Sequence, residues 1–231
     1  MNAGLALLRR GRMAAALFAI AGLLIASASF AAGAATSDEG NDLREFRIGM
    51  RVADLPRAGY RDFVCVADHA RKLADWTGYR LCPADAKGWR EIGFRYDPGA
   101  NPQARFNASD DATKVAGHPV RLALLIGDAG DVTGLRIATD PEAPLYLRKK
   151  AFLLADQVMA RYGREGWHCV EAAPGGDAEP LGGVFIREHC EKTTPTRHLI
   201  LDRALYRHPG DDSRHFVNST EILIESAATK P

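Results

Sequence analysis

Four cysteines constrain the fold of this 231-residue chain more than any other feature: Cys65, Cys82, Cys169 and Cys190. An even number of cysteines favours disulfides over free thiols when the compartment is oxidising. Three pairings are possible, and the sequence alone does not choose among them. We expect the local pairing, Cys65 with Cys82 and Cys169 with Cys190, because the two intervals, 17 and 21 residues, are similar. Reactive thiols are the alternative, but the chain has no Cys-x-x-Cys motif.

The first 35 residues predict a cleavable export signal. Arg9, Arg10 and Arg12 precede an apolar stretch over residues 13–30, and small residues suited to a signal peptidase follow. This order of charged, apolar and small residues is that of a secretory signal. The alternative is an uncleaved membrane anchor, which would then be the protein's membrane contact. We therefore expect a periplasmic or secreted protein.

The charge balance argues against a nucleic-acid partner. The chain has 30 Lys and Arg against 29 Asp and Glu. Removal of the three signal arginines leaves 27 basic residues, so the mature chain has a formal charge of −2. Binding to a phosphate backbone depends on many Lys and Arg contacts, which a near-neutral protein does not concentrate. We expect no nucleic acid among its partners.

Hydrophobic patterns predict an α+β fold. Residues 120–126 and 132–137 are apolar and β-branched, and the Gly- and Asp-rich segment 127–131 between them is typical of a hairpin turn. Residues 145–162 carry apolar side chains at helical spacing before Gly163, which predicts one long amphipathic helix. We expect one or more antiparallel sheets, this helix and a few short helices.

The order of elements in the first half recurs loosely in the second. The run Gly166-Trp167-His168-Cys169-Val170 is similar to Gly59-Tyr60-Arg61-Asp62-Phe63-Val64-Cys65, and each is followed by a second cysteine and a long strand. We therefore predict two tandem related modules, residues 46–140 and residues 141–231, with the second packed on the first. Residues 36–45 are expected to form a flexible mature N-terminus.

The first module resembles the small α+β module of BamE-like (SmpA/OmlA) envelope proteins. The resemblance rests on Ile48-Gly49-Met50, on Asp54-Leu55 and on the hairpin of residues 122–137. Two such modules in tandem, each with a disulfide, also look like the architecture of β-lactamase-inhibitor proteins. These relatives are binding or scaffold modules, so the resemblance implies a non-catalytic role. The chain lacks the lipid-anchor cysteine of BamE-like proteins, and no functional residue is transferred from them.

Two His-Cys pairs, His168-Cys169 and His189-Cys190, are the most distinctive candidates for a site. If the cysteines are bonded across neighbouring strands, His168 and His189 point to the opposite sheet face and would lie side by side. Two imidazoles so placed begin a zinc or copper site, with His198 or His215 as a third ligand. The simpler interpretation is two half-exposed histidines that flank a disulfide, with no cofactor.

No sequence motif predicts catalysis. The chain contains neither Gly-x-Ser-x-Gly nor His-Glu-x-x-His, so no catalytic residue is assigned. The leading expectation is an exported, non-catalytic binding or scaffold protein of the cell envelope, with an unidentified envelope protein or ligand as its partner. A periplasmic transition-metal-binding protein is the second hypothesis, and an enzyme of unrecognised type is the third.

Overall fold

A computed structural model of the protein describes residues 40–100, 113–212 and 214–227. The described residues belong to one compact unit, which spans residues 36–231. The predicted export signal and its cleavage site lie outside the described residues, as do residues 36–39 of the predicted flexible N-terminus. Within the described ranges, no helix is both long enough and apolar enough to cross a membrane.

Ten strands form one antiparallel sheet. They are β1 (Tyr60–Cys65), β2 (Asp68–Lys72), β3 (Arg90–Tyr96), β4 (Lys114–Val115), β5 (His118–Ile126), β6 (Val132–Thr139), β7 (His168–Glu171), β8 (Ile186–Thr193), β9 (Arg197–Tyr206) and β10 (Val217–Ser226). Their order across the sheet is β2-β1-β3-β5-β6-β10-β9-β8-β7, and β4 pairs with β5 at one side. The predicted hairpin is confirmed as β5 and β6, which pair from Val120 with Thr139 to Ile126 with Val132.

One face of this sheet carries the hydrophobic core. Successive side chains of a strand point to opposite faces, so alternate residues of each strand line up across the sheet. A single row of paired residues illustrates the core face: Cys65, Ile92, Leu124, Leu135, Ile224 and Leu199. Each member of this row is at most 1% exposed. The core therefore extends without interruption from β1 to β9.

An aromatic cluster covers the core face near β1 and β3. The ring of Phe46, in the segment before the sheet, lies 4.8 Å from Tyr60, 5.5 Å from Trp76 and 5.3 Å from Phe94, centroid to centroid. Trp76 begins a 3₁₀ helix, Trp76–Leu81, which Asp75 caps by accepting a hydrogen bond from the backbone N–H of Thr77. Burial of these rings attaches the N-terminal segment to the sheet.

The predicted long helix over residues 145–162 is broken into three pieces. They are α1 (Leu145–Arg148), a 3₁₀ turn (Ala151–Leu153) and α2 (Leu154–Arg161). The cause is Asn218 of β10, which is 3% exposed. Its amide donates to the carbonyl of Arg148 at 3.0 Å, and its oxygen accepts from the N–H of Phe152 at 3.2 Å. The side chain thus replaces the helical hydrogen bond between these two residues and interrupts the helix.

The prediction of an α+β fold organised around a long amphipathic helix is therefore wrong. The described structure is dominated by its ten-stranded antiparallel sheet, and only short helical pieces pack on it. The regions predicted as two modules supply strands to the same sheet, because β6 pairs with β10 over five residue pairs, including Ile137 with Ile222. This pairing joins β-strands that are far apart in the chain.

Both predicted disulfides are confirmed. Cys65 at the end of β1 is bonded to Cys82, which follows the 3₁₀ helix. Cys169 and Cys190 are bonded between directly paired positions of β7 and β8, with Cα atoms 4.0 Å apart. No free cysteine occurs in the described chain. The two disulfides indicate an oxidising, extracytoplasmic environment.

Candidate functional site

The face of the sheet opposite the core is lined by small, charged and partly exposed apolar side chains, and we call it the open face. One row of paired residues crosses it through eight strands: Val64, Gly93, Ala123, Arg136, Leu223, Ile200, Glu191 and His168. Eight strands span roughly 34 Å at the usual spacing of about 4.8 Å. The helical segment lies on the other face, where it contacts Asn218 and Thr220.

Two depressions occupy the open face. The larger, of about 610 Å³, lies over β1, β3, β5 and β6 and is floored by Gly93, Ala123 and Ala138. The smaller, of about 400 Å³, lies over β8, β9 and β10 and includes Ala204 and Ser219 in its lining. Small side chains leave the backbone of the sheet close to the surface at both places. The open face is therefore concave at two positions.

Arg136 lies between the two depressions and forms a bridge of ion pairs. Its Nε donates to Glu91 at 2.7 Å, and its Nη1 donates to Glu221 on the neighbouring strand. Burial of the guanidinium acts to lower its pKa, but the two carboxylates outweigh this and the pKa is raised above its usual value. The side chain stays charged and fixed at the centre of the open face.

Beside this bridge, carboxylates and imidazoles alternate along the open face. His189 Nδ1 lies 2.7 Å from Asp202 Oδ1, and His189 Nε2 lies 3.2 Å from Glu191 Oε1. The hydrogen bond to Asp202, followed by the one to Glu191, raises the pKa of His189 above its usual value. The hydrogen bonds of His189 and then of His198 lower the pKa of Glu191.

The alternation continues on β9 and β10. His198 Nε2 lies 3.4 Å from Glu191 Oε2, and His198 Nδ1 lies 3.6 Å from Glu225 Oε2. Glu225 is 5% exposed and accepts a hydrogen bond from Lys87 Nζ at 2.9 Å. The chain of groups is thus Asp202, His189, Glu191, His198 and Glu225, with one imidazole between each two carboxylates. Its unprotonated form carries three negative charges.

The structure places His168 and His189 on the same face, opposite the disulfide, but not side by side. His168 pairs with Glu191, and His189 pairs with Val170. In an antiparallel pair, the residue before one cysteine faces the residue after the other, so the two histidines lie diagonally across the disulfide. Glu191 was not predicted as a site residue, although its position two residues after His189 puts both on one face.

Two other groups bear on the predicted metal site. Within residues 40–100, 113–212 and 214–227, only Cys169, Glu188 and Cys190 place three ligand atoms within 4.8 Å of one another. Both sulfurs of this trio are joined in a disulfide, so neither is a thiolate ligand. His215, named as a possible third ligand, lies 3.1 Å from Asp212. Of the two histidines named as a possible third ligand, His198 is the one linked to His189, because both rings contact Glu191.

Comparisons with protein-family models, with curated proteins and with solved structures found no significant match. The function is accordingly inferred from the residues of the open face.

Proposed function

We propose that the protein is an exported, non-catalytic binding protein that holds a partner protein of the cell envelope on its open sheet face. The observation that supports this proposal is the open face itself. The helical pieces described pack on the opposite side of the sheet, and the open face presents two depressions on either side of the Arg136 ion pairs. A concave sheet face of this width suits an extended segment or loop of another protein. The disulfides and the predicted export signal support a periplasmic or secreted location.

Charge complementarity selects the partner's chemistry. On the part of the open face formed by β8, β9 and β10, the accessible acidic side chains are Glu191, Asp202 and Glu221, and Glu225 lies buried beside them. The one Lys or Arg that these three strands place on the same face is Arg187. Acidic surfaces steer and orient basic partners, and they oppose binding of nucleic acid. We therefore propose a partner that lays a basic segment over this half of the face.

The ionisable groups of the open face favour binding over catalysis. His189, Glu191 and Asp202 are paired with one another rather than aimed at an empty position. A catalytic acid or base needs a proton-transfer partner on the substrate within hydrogen-bonding reach. The paired arrangement keeps the side chains in place, which is what a rigid recognition surface requires.

Site-specific photo-crosslinking in the exporting host tests the proposal. A photoreactive amino acid is placed at Ala138 or Ala204 on the open face, and at Tyr146, which is 70% exposed on α1, as the control. We expect one discrete adduct from each open-face position and none from position 146. The double variant Asp202→Lys, Glu221→Lys should abolish the adduct from position 204. Adducts only from position 146, or none from either open-face position, would refute the proposal.

A further inference from the structure

The sheet ends in two edge strands whose chemistry differs. β2, at one edge, carries Asp68, Arg71 and Lys72, and its pairing with β1 is irregular. Charged side chains and irregular pairing are two ways in which proteins keep an edge strand from pairing with another chain. β7, at the other edge, pairs regularly with β8 and contains no Lys or Arg. β7 is therefore the edge that lacks these protections.

β7 is also exposed and fixed in place. All of its residues are exposed, and Val170 is 70% exposed on the open face. The disulfide between Cys169 and Cys190 joins β7 to β8. In the part of the chain that the structure describes, β8 is the one strand that pairs with β7. The outer side of β7 is thus a preformed strand edge.

The register shows which backbone groups of β7 point outward. In an antiparallel ladder, opposite residues alternate between hydrogen-bonded pairs, with Cα atoms about 5.5 Å apart, and non-hydrogen-bonded pairs, about 4.5 Å apart. The Cα atoms of Cys169 and Cys190 are 4.0 Å apart, so their pair is non-hydrogen-bonded. The N–H of Ala172 donates to the carbonyl of Arg187 at 2.8 Å, which fits this alternation. The N–H and C=O groups of Cys169 and Glu171 therefore point away from β8.

We infer that β7 binds an extended basic segment of the partner protein by strand addition. In this mode, main-chain hydrogen bonds supply affinity and alternate side chains supply specificity. The carbonyls of an added antiparallel strand accept from the N–H groups of Cys169 and Glu171, and its own N–H groups donate to the carbonyls of these two residues. The inference rests on the partner-binding proposal and specifies where the partner's backbone is held.

The side chains of β7 determine what the added strand carries. The partner residue opposite Val170 occupies a closely spaced, non-hydrogen-bonded position, which favours an apolar side chain. A basic residue is favoured opposite Glu171, because opposite charges on paired strands attract. Antiparallel pairing of two β7 strands about Val170 would instead make the two Glu171 side chains diagonal neighbours on one face. The occupant is therefore a basic segment and not a second copy of this chain.

Isothermal titration with the peptide acetyl-Thr-Lys-Val-Thr-Lys-Thr-amide tests the inference. An antiparallel peptide with its valine opposite Val170 places its first lysine opposite Glu171. Two N-methylated forms are the matched pair. Methylation of the first lysine and the middle threonine blocks the N–H groups that face β7, and we expect it to weaken binding by at least about 10-fold. Methylation of the valine and the second lysine blocks N–H groups that face away and should leave the affinity unchanged.

Glu171→Pro is the corresponding change in the protein. It removes an N–H that makes no bond to β8, and proline is tolerated on an edge strand where the N–H faces solvent. We expect at least about 10-fold weaker binding of the peptide, with little change in the urea midpoint. Glu171→Lys should weaken binding by roughly 5-fold, whereas Asp68→Lys on β2 should leave it unchanged.

Four results would overturn the inference: equal binding of the two methylated peptides, unchanged binding by Glu171→Pro, no binding by the wild type, or a wild-type dimer in ultracentrifugation that Glu171→Pro dissociates. The photo-crosslinking experiment separates the two proposals. An adduct from position 204 that persists in Glu171→Pro would refute strand addition and leave the partner-binding proposal intact. Loss of this adduct in Glu171→Pro would support both.

Discussion

A buried ion pair between Asp42 and Arg197 attaches the N-terminal segment to β9. The two side chains are 4% and 8% exposed. Asp42 Oδ1 accepts hydrogen bonds from Arg197 Nε and from Tyr162 Oη, both at 2.9 Å. Asp42 Oδ2 accepts from Arg197 Nη2 at 3.1 Å and from the backbone N–H of Ile48 at 2.8 Å. One carboxylate thus satisfies four donors from three parts of the fold.

Replacement of Asp42 by Ala should be among the most destabilising single substitutions in this protein. It removes the carboxylate that pairs with the buried Arg197 guanidinium, and loss of one partner of a buried pair costs about 3–5 kcal/mol. We expect the free energy of unfolding to fall by that amount. Arg197→Met should cost about as much. The double variant Asp42→Ala, Arg197→Met should cost clearly less than the two losses added, because no unpaired charge remains.

Urea denaturation followed by tryptophan fluorescence measures these differences, and urea leaves the ionic strength unchanged. The control is Glu179→Ala, which breaks the partly exposed pair of Glu179 with Arg207 and should cost at most about 1 kcal/mol. A loss below about 1 kcal/mol for Asp42→Ala, with an unchanged denaturant slope, would refute the reasoning. Additive losses in the double variant would show that the two side chains act independently.

Three further predictions concern stability. Cys65→Ala with Cys82→Ala should lower the free energy of unfolding by about 3 kcal/mol, because the crosslink lowers the entropy of the unfolded chain by about that amount for cysteines 17 residues apart. An unchanged urea midpoint would contradict this. Asn218→Ala leaves two backbone groups of the helical segment unpaired and should cost about 2–4 kcal/mol, whereas a loss below about 1 kcal/mol would mean that the helix closes its own hydrogen bond. Burial, and then the carboxylate of Asp42, raise the pKa of Tyr162, so the folded state retains a proton that the unfolded chain loses near pH 10. Stability should therefore fall as the pH rises above about 10, and Tyr162→Phe should reduce that slope by about 1.4 kcal/mol per pH unit; an identical slope in both proteins would refute this.

The sequence by itself determined the features that depend on residues close together in the chain. The β5–β6 hairpin follows from two apolar runs on either side of the Gly- and Asp-rich turn of residues 127–131, and the structure confirms it. The sequence favoured the local pairing of the cysteines, at most 21 residues apart, among three possible pairings, and the structure confirms it. Short loops cost little entropy to close, so local patterns are the ones that a sequence specifies most directly.

The helix over residues 145–162 shows why a correct local pattern can fail. Its apolar spacing does place Leu154, Ala155 and Val158 in the core. The break comes from Asn218, which lies 66 residues after Phe152 and takes both backbone groups of one helical turn. Nothing in the helical segment itself signals this partner. Local helical preference is weak compared with tertiary hydrogen bonding, and the tertiary contact therefore decides the shape of the segment.

The candidate site divides in the same way. The two-residue period of a strand and the position of the disulfide put His168 and His189 on one face, and the sequence was sufficient for that. Their arrangement around Glu191 required the register of three strands, because a shift of one residue would have sent every side chain to the other face. The register around Glu191 comes from consecutive strands, β7 with β8 and β8 with β9, and these strands join the rest of the sheet through the pairing of β10 with β6, which lie far apart in the chain. The sequence alone thus supplied the chemical groups, and only the tertiary structure brought them together, because cross-strand neighbours are chosen by burial of the opposite, apolar face.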